Sequence, residues 1–181
     1  MPISDFCVSD HKMAVLSQQA YEPNPTFEKD GVEVFITEIG DRVFAVTFRG
    51  TQFNFRDIIR DLRSMRVHDP YLGWCHKGFL LGARGIFPAI YRFLKDASAW
   101  RVVGAGHSLG GALATNTVAM LRRYFMAEDL QLVTFGCPRV GFSLDDILEG
   151  VQSRRYVNGV DIIPTVPWPF LLWHVGNPVQ I

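Results

Sequence analysis

The run Gly106-His107-Ser108-Leu109-Gly110 has the make-up of a turn that presents a nucleophile. A serine between glycines can occupy a bend too sharp for bulkier neighbours, because Cβ atoms at 106 and 110 would collide with nearby backbone. Its surroundings fit. The apolar run Arg101 to Ala105 reads as a short strand, and a helix is predicted to open at Leu109. Gly111, Ala112 and Ala114 keep that helix start small enough to press on a sheet. The Leu109 N–H would then lie at a helix N-terminus, where developing negative charge is favoured. The chemistry these parts suit is acyl transfer through a serine. The plainer explanation is a Gly-rich turn with no chemistry, so the partners of Ser108 decide.

A serine of this kind needs a base and an acid, and in α/β hydrolases the chain order is serine, carboxylate, histidine. Of His11, His68, His76, His107 and His174, only His174 follows Ser108. Between them lie Glu128, Asp129, Asp145, Asp146, Glu149 and Asp161. Glu128 and Asp129 precede a strand parallel to the one before Ser108, which places them at the opposite sheet edge. Asp145, Asp146 and Glu149 fall in a short polar helix. Asp161 comes just past the predicted strand Arg154 to Val157, at the edge where sites of parallel sheets collect. Asp161 is the candidate to orient His174, with Pro164 expected to end regular structure after it.

The elements that must hold these residues follow from hydrophobic period. Val8 to Tyr21, Phe53 to Arg66, Gly78 to Leu94 (with a kink expected at Pro88), Leu109 to Phe125 and Leu144 to Leu148 read as helices. Val32 to Ile36 and Val43 to Phe48 read as two strands joined at Gly40-Asp41. Leu130 to Phe135, Arg154 to Val157 and Gly176 to Ile181 complete the strands. Strands alternating with helices predict an α/β fold: a mostly parallel central sheet with helices on both faces. With 181 residues and no linker, one domain over residues 1–181 is expected.

Composition narrows the function further. Lysine plus arginine number 18, as do aspartate plus glutamate, so no net field draws the chain to nucleic acid. Cys7, Cys75 and Cys137 form neither a disulfide framework nor a metal pair. The start shows no secretory signal and no apolar run is long enough to span a bilayer, so a cytoplasmic location is expected, or export by a route without a signal.

Several blocks together resemble the class 3 lipases, the fungal triacylglycerol lipase-like family. They are Phe48-Arg49-Gly50-Thr51, His76-Lys77-Gly78-Phe79, Gly106 to Ala114, Phe135 to Gly141, and Val157-Asn158 with Asp161 and Pro164. The resemblance implies an α/β-hydrolase fold, carboxylester hydrolysis, no metal and no cofactor. It maps the triad onto Ser108, Asp161 and His174, and the oxyanion donors onto Thr51 and the N–H of Leu109. It also implies a short amphipathic lid at Gln52 to Arg66. His76, His107 and Arg139 read as packing or bridging residues, and Cys137 as a buried thiol. Asp61 stands where the family has a carboxylate that could hold Thr51.

The substrate side should be apolar. Pro167-Trp168-Pro169-Phe170-Leu171-Leu172-Trp173 runs straight into His174, and Trp168, Phe170 and Trp173 are candidate acyl-site or lipid-contact residues. Phe55, Ile58, Ile59 and Leu62 fall on one helical face, which makes Ile58 and Ile59 candidates for the pocket cover. The expected partner is a small acyl ester or lipid, with transient contact at a lipid surface and no obligate protein partner. Alternatives are a short-chain esterase, a phospholipid acyl hydrolase, or a hydrolase-fold protein that binds without cleaving.

Overall fold

The computed structural model describes residues 8–50, 66–159, 161–166 and 172–181, and nine strands lie among them. They are β1 (Phe27–Lys29), β2 (Val32–Gly40), β3 (Val43–Phe48), β4 (Arg66–Asp69), β5 (Gly73–His76), β6 (Arg101–His107), β7 (Leu130–Phe135), β8 (Gln152–Val157) and β9 (Asn177–Gln180). Seven form one sheet in the order β1-β2-β3-β6-β7-β8-β9. The first three pair antiparallel and every pairing from β3 to β9 is parallel. The predicted α/β architecture is therefore present.

Strand alternation shows why helices cover both faces. Phe44, Val46 and Phe48 of β3, Val102 of β6, and Leu130 and Leu132 of β7 enter the larger core. That core is completed by α2 (Lys77–Asp96) and α3 (Leu109–Leu121). Ala45, Val103, Ala105 and Val133 face the other way, onto a small cluster with Val8 and Met13 under α1 (Asp10–Gln19). Helix α3 is buried on all sides from Gly110 to Leu121, as a helix wedged between sheet and α2 must be. Across the sheet, α1 is fixed by Asp10, which accepts from Arg154 at 2.8 Å and from the Tyr156 hydroxyl.

Some sequence expectations give way. Helix α3 stops at Leu121, short of Phe125, because the chain tightens: Tyr124 N–H donates to Leu121 O at 2.8 Å, and Arg122 holds Phe125 O at 2.7 Å. In α1 the apolar Val15 is 39% exposed, while Met13 and Ser17 face inward. A hairpin of β4 and β5 went unpredicted, since each strand has four residues around the polar turn at Asp69. Asp69 builds that turn by accepting from the N–H groups of Tyr71 and Leu72, each at 2.8 Å, and by pairing with Arg84. Pro88 sits inside a continuous α2. Pro164 lies within a single 3₁₀ turn, Ile163–Thr165, where its missing N–H costs nothing. No helix among the described residues is long and apolar enough to cross a membrane.

Candidate active site

Parallel strands in register end at one edge, and this sheet ends β3, β6, β7 and β8 together. Phe48 pairs with Gly106, His107 with Phe135, and Phe135 with Tyr156. The loops after these strands therefore meet, and they carry Gly50, Ser108, Gly136 and Asp161.

Ser108 links β6 to α3 with φ 53° and ψ −123°, a left-handed backbone rare for a residue with a side chain. Its N–H donates to Phe135 O at 2.9 Å, and its carbonyl accepts from Gly111 N–H at 3.0 Å. The glycines are needed for the reason the sequence suggests. A Cβ on Gly106 would fall inside the Gly110 backbone, and one on Gly110 would fall on the Phe48 carbonyl. Leu109 is the first residue of α3, so its N–H has no partner within the helix and points out of the N-terminus. Because the amide of Ser108 is held by β7, Leu109 offers the nearest outward donor on the elbow.

Asp161 follows β8 as expected. Its N–H donates to Asn158 O at 2.9 Å, and its Oδ1 accepts from Ile163 N–H at 2.9 Å. His174 lies in the segment before β9. Its Nε2 is 2.7 Å from Pro164 O, and since a carbonyl only accepts, the ring proton is on Nε2. Nδ1 is buried and has no hydrogen-bond partner among the described residues. Burial, then the charges of Arg155 and Arg139, lower the His174 pKa to about 4. The ring is thus a neutral base with its lone pair on Nδ1. Among the described residues no hydrogen bond joins Asp161 to His174. The elbow is built, while Asp161 and His174, the candidate acid and base, each rest on a local backbone partner.

The remaining candidates divide. Trp173 is 53% exposed and packs on Phe142 at 5.3 Å between ring centres, so its indole lies at the surface. Thr51, Ile58, Ile59, Asp61, Trp168 and Phe170 fall outside the described residues, as does almost all of the lid Gln52 to Arg66. Cys137 is buried, and burial pushes its thiol up to about 12, which keeps it protonated and inert. Arg139 bridges loops, donating to Thr165 O. His76 is the N-cap residue of α2 and packs on Phe79 with ring centres 4.0 Å apart. His107 is held by the Tyr21 hydroxyl, 3.0 Å from its Nδ1. Sequence reasoning missed Tyr21, which lies far from every motif; the one clue is its place at the end of a helix that must pack under β6.

A strained serine between a parallel strand and a buried helix, at the edge where the loops converge, defines an α/β hydrolase. Residues 45–170 match the description lipase (class 3). The chain is 32% identical over 156 residues to a lipase of Rhizomucor miehei, a match covering 78% of this chain and 42% of that one. It superposes on the lipase of Rhizopus microsporus var. chinensis with TM-score 0.81 at 26% identity, covering 95% of this chain and 73% of that one. A second structure, described as a triacylglycerol lipase whose catalytic centre is a serine protease triad, is 27% identical, with TM-score 0.72 over 83% of this chain and 62% of that one. The chain spans less than half the length of the curated relatives it matches. It belongs to the class 3 lipase family.

Proposed function

We propose that this chain hydrolyses carboxylic esters, with Ser108 as nucleophile, His174 as base and Asp161 as the acid that orients it. The observation that carries the reading is the φ of 53° at Ser108, a strained geometry which a plain turn would relieve with glycine. Ser108 Oγ would attack the ester carbonyl as His174 accepts its proton. The tetrahedral oxyanion would rest on the outward N–H of Leu109 and, by the family resemblance, on Thr51. His174 would then protonate the leaving alcohol, and water would release the acyl group by the same route. For this the His174 ring must leave Pro164 O and present Nδ1–H to Asp161 and Nε2 to Ser108. The substrate class proposed is an acyl ester of a lipid, in keeping with the apolar residues around His174 and with relatives named as lipases.

One observation favours a second reading, a hydrolase-fold protein that binds a lipid without cleaving it: Asp161 and His174 are not joined in this structure. A fluorophosphonate probe separates the two. Labelling of the wild type but not of Ser108→Ala, with turnover of p-nitrophenyl esters, supports the enzyme. A wild type that neither labels nor turns over any ester from acetate to palmitate leaves the binding reading.

A further inference from the structure

The β4–β5 hairpin is tied to the residue before His174 through a second, smaller ladder. β4 pairs with β5, Cys75 of β5 bridges to Gly141, and Gly141 bridges to Trp173. Phe142 N–H donates to Trp74 O at 2.9 Å, and Trp173 N–H donates to Gly141 O at 3.1 Å. Strand alternation turns Val67 and Cys75 toward the main core. It turns Arg66, His68 and Trp74 outward, where they are exposed.

Those outward side chains form a continuous stripe. The rings of Trp173 and Phe142 lie 5.3 Å apart. The Arg66 guanidinium lies 5.9 Å from the Phe142 ring and 6.0 Å from the Trp74 ring. Trp74 meets the His68 ring edge to face at 5.2 Å. Trp74 is 49% exposed and Trp173 53% exposed, so two indoles stand half in solvent. Between them the Arg66 side chain has only aromatic neighbours among the described residues, and no carboxylate answers its charge.

The chain as a whole carries no net charge, so any pull toward an anionic surface must be local. An indole is most at ease where an apolar medium meets a wet one, its ring in the first and its N–H in the second. A guanidinium held beside such rings can reach a phosphate in the same layer. A fluid lipid surface also asks for no matching shape, which suits an open stripe.

We propose that Trp74, Arg66 and Phe142, with Trp173 at the active end, dock this chain on a lipid surface that carries anionic phosphate headgroups. The indoles enter the headgroup layer and Arg66 pairs with a phosphate. The purpose of docking rests on the esterase reading, since it sets His174, the residue after Trp173, against the lipid; the docking itself needs no turnover.

Ser108→Ala, which lacks the nucleophile, lets vesicles be bound without being consumed. Co-sedimentation is measured with phosphatidylcholine vesicles, with and without phosphatidylglycerol, at low salt. The anionic vesicles should take up more protein, and added salt should reduce the difference. Adding Arg66→Gln should weaken binding to the anionic vesicles about fivefold, the worth of one cation at such a surface, and leave binding to phosphatidylcholine alone unchanged. Adding Trp74→Ser should weaken binding to both by about fivefold, the share of an indole's burial it forfeits, and Trp74→Phe should recover most of that loss. Arg66 is exposed, so its variant reads the headgroup contact even if Trp74→Ser does not fold. No binding to either vesicle, equal binding to both, or binding that Arg66→Gln leaves unchanged overturns the proposal. So does a dimer that forms without lipid and is lost in Trp74→Ser, which would give the stripe to a second copy of the chain. If the protein with Ser108 intact neither labels nor hydrolyses a soluble ester, the esterase reading fails, while sedimentation still decides the docking.

Discussion

His174 donates its Nε2–H to the carbonyl of Pro164 at 2.7 Å, a partner ten residues back in the chain. The bond selects the tautomer opposite to the one a triad uses, in which Nδ1–H would face the carboxylate. It also leaves Nδ1 buried and bare, with Arg155 and Arg139 near enough to oppose a positive charge there.

Stability should therefore depend on pH through His174. Its pKa is about 4 in the folded chain against 6.5 when free. Between those values the unfolded chain binds a proton that the native chain refuses, so this contribution is full above pH 6.5 and is lost as pH falls toward 4. His174→Gln keeps an N–H for Pro164 O but does not titrate. Thermal melts at pH 7 and 4.5 should show a smaller drop in the variant than in the wild type; equal drops would place the acid sensitivity elsewhere.

Ser108→Gly should stabilise the fold while ending hydrolysis. Glycine adopts φ 53° freely, and relief of such a backbone is worth about 1 kcal/mol. Denaturant melts of Ser108→Gly against Ser108→Ala check this directly, because alanine keeps the strain. A glycine variant no more stable than the alanine variant would show that the turn is unstrained.

Gly110→Ala should destabilise by about 1–3 kcal/mol, the usual cost of forcing atoms into a packed interior. The new methyl would press on the Phe48 carbonyl, driving α3 away from the end of β3. Esterase activity should fall along with stability, since the oxyanion loop begins right after that carbonyl. Urea midpoints and kcat, measured on the same preparation, test both halves.

Asp69→Ala should cost about 1–3 kcal/mol, the scale for leaving buried donors without their acceptor. Asp69 is 2% exposed, and it serves two backbone N–H groups as well as Arg84. Asp69→Asn, which keeps an acceptor for the turn, should cost less. An alanine variant as stable as the wild type would make the hairpin self-supporting.

How much of this was legible in the sequence depends on what carried each signal. The elbow was, because glycines at 106 and 110 answer to close backbone contacts that any such turn must make. The central strands were, because Val43 to Phe48 and Leu130 to Phe135 are apolar on both faces, as strands covered by helices must be. The β4–β5 hairpin was not, since its strands are short and its order comes from Asp69 acting at a distance on Arg84. Chain order singled out Asp161 and His174, and the structure places the first just after β8 and the second just before β9. Their hydrogen bonds to Ile163 and Pro164 were not, because chain order says nothing about which backbone group a side chain will meet. Tyr21 was invisible for the same reason: its partner His107 ends a strand far along the chain.

The two hydrophobic clusters have different sizes, and that has a thermal consequence. Helix α1 rests on the smaller one, where Val8 and Met13 meet four strand residues, with Asp10 and Gln131 as its polar ties. A segment held by so few buried groups can detach while the main core stays folded, an opening below the global unfolding free energy. Tyr21 leaves with it. Heat should then inactivate the protein some degrees before circular dichroism records melting, and cooling should return activity, since the sheet that receives α1 would never have come apart.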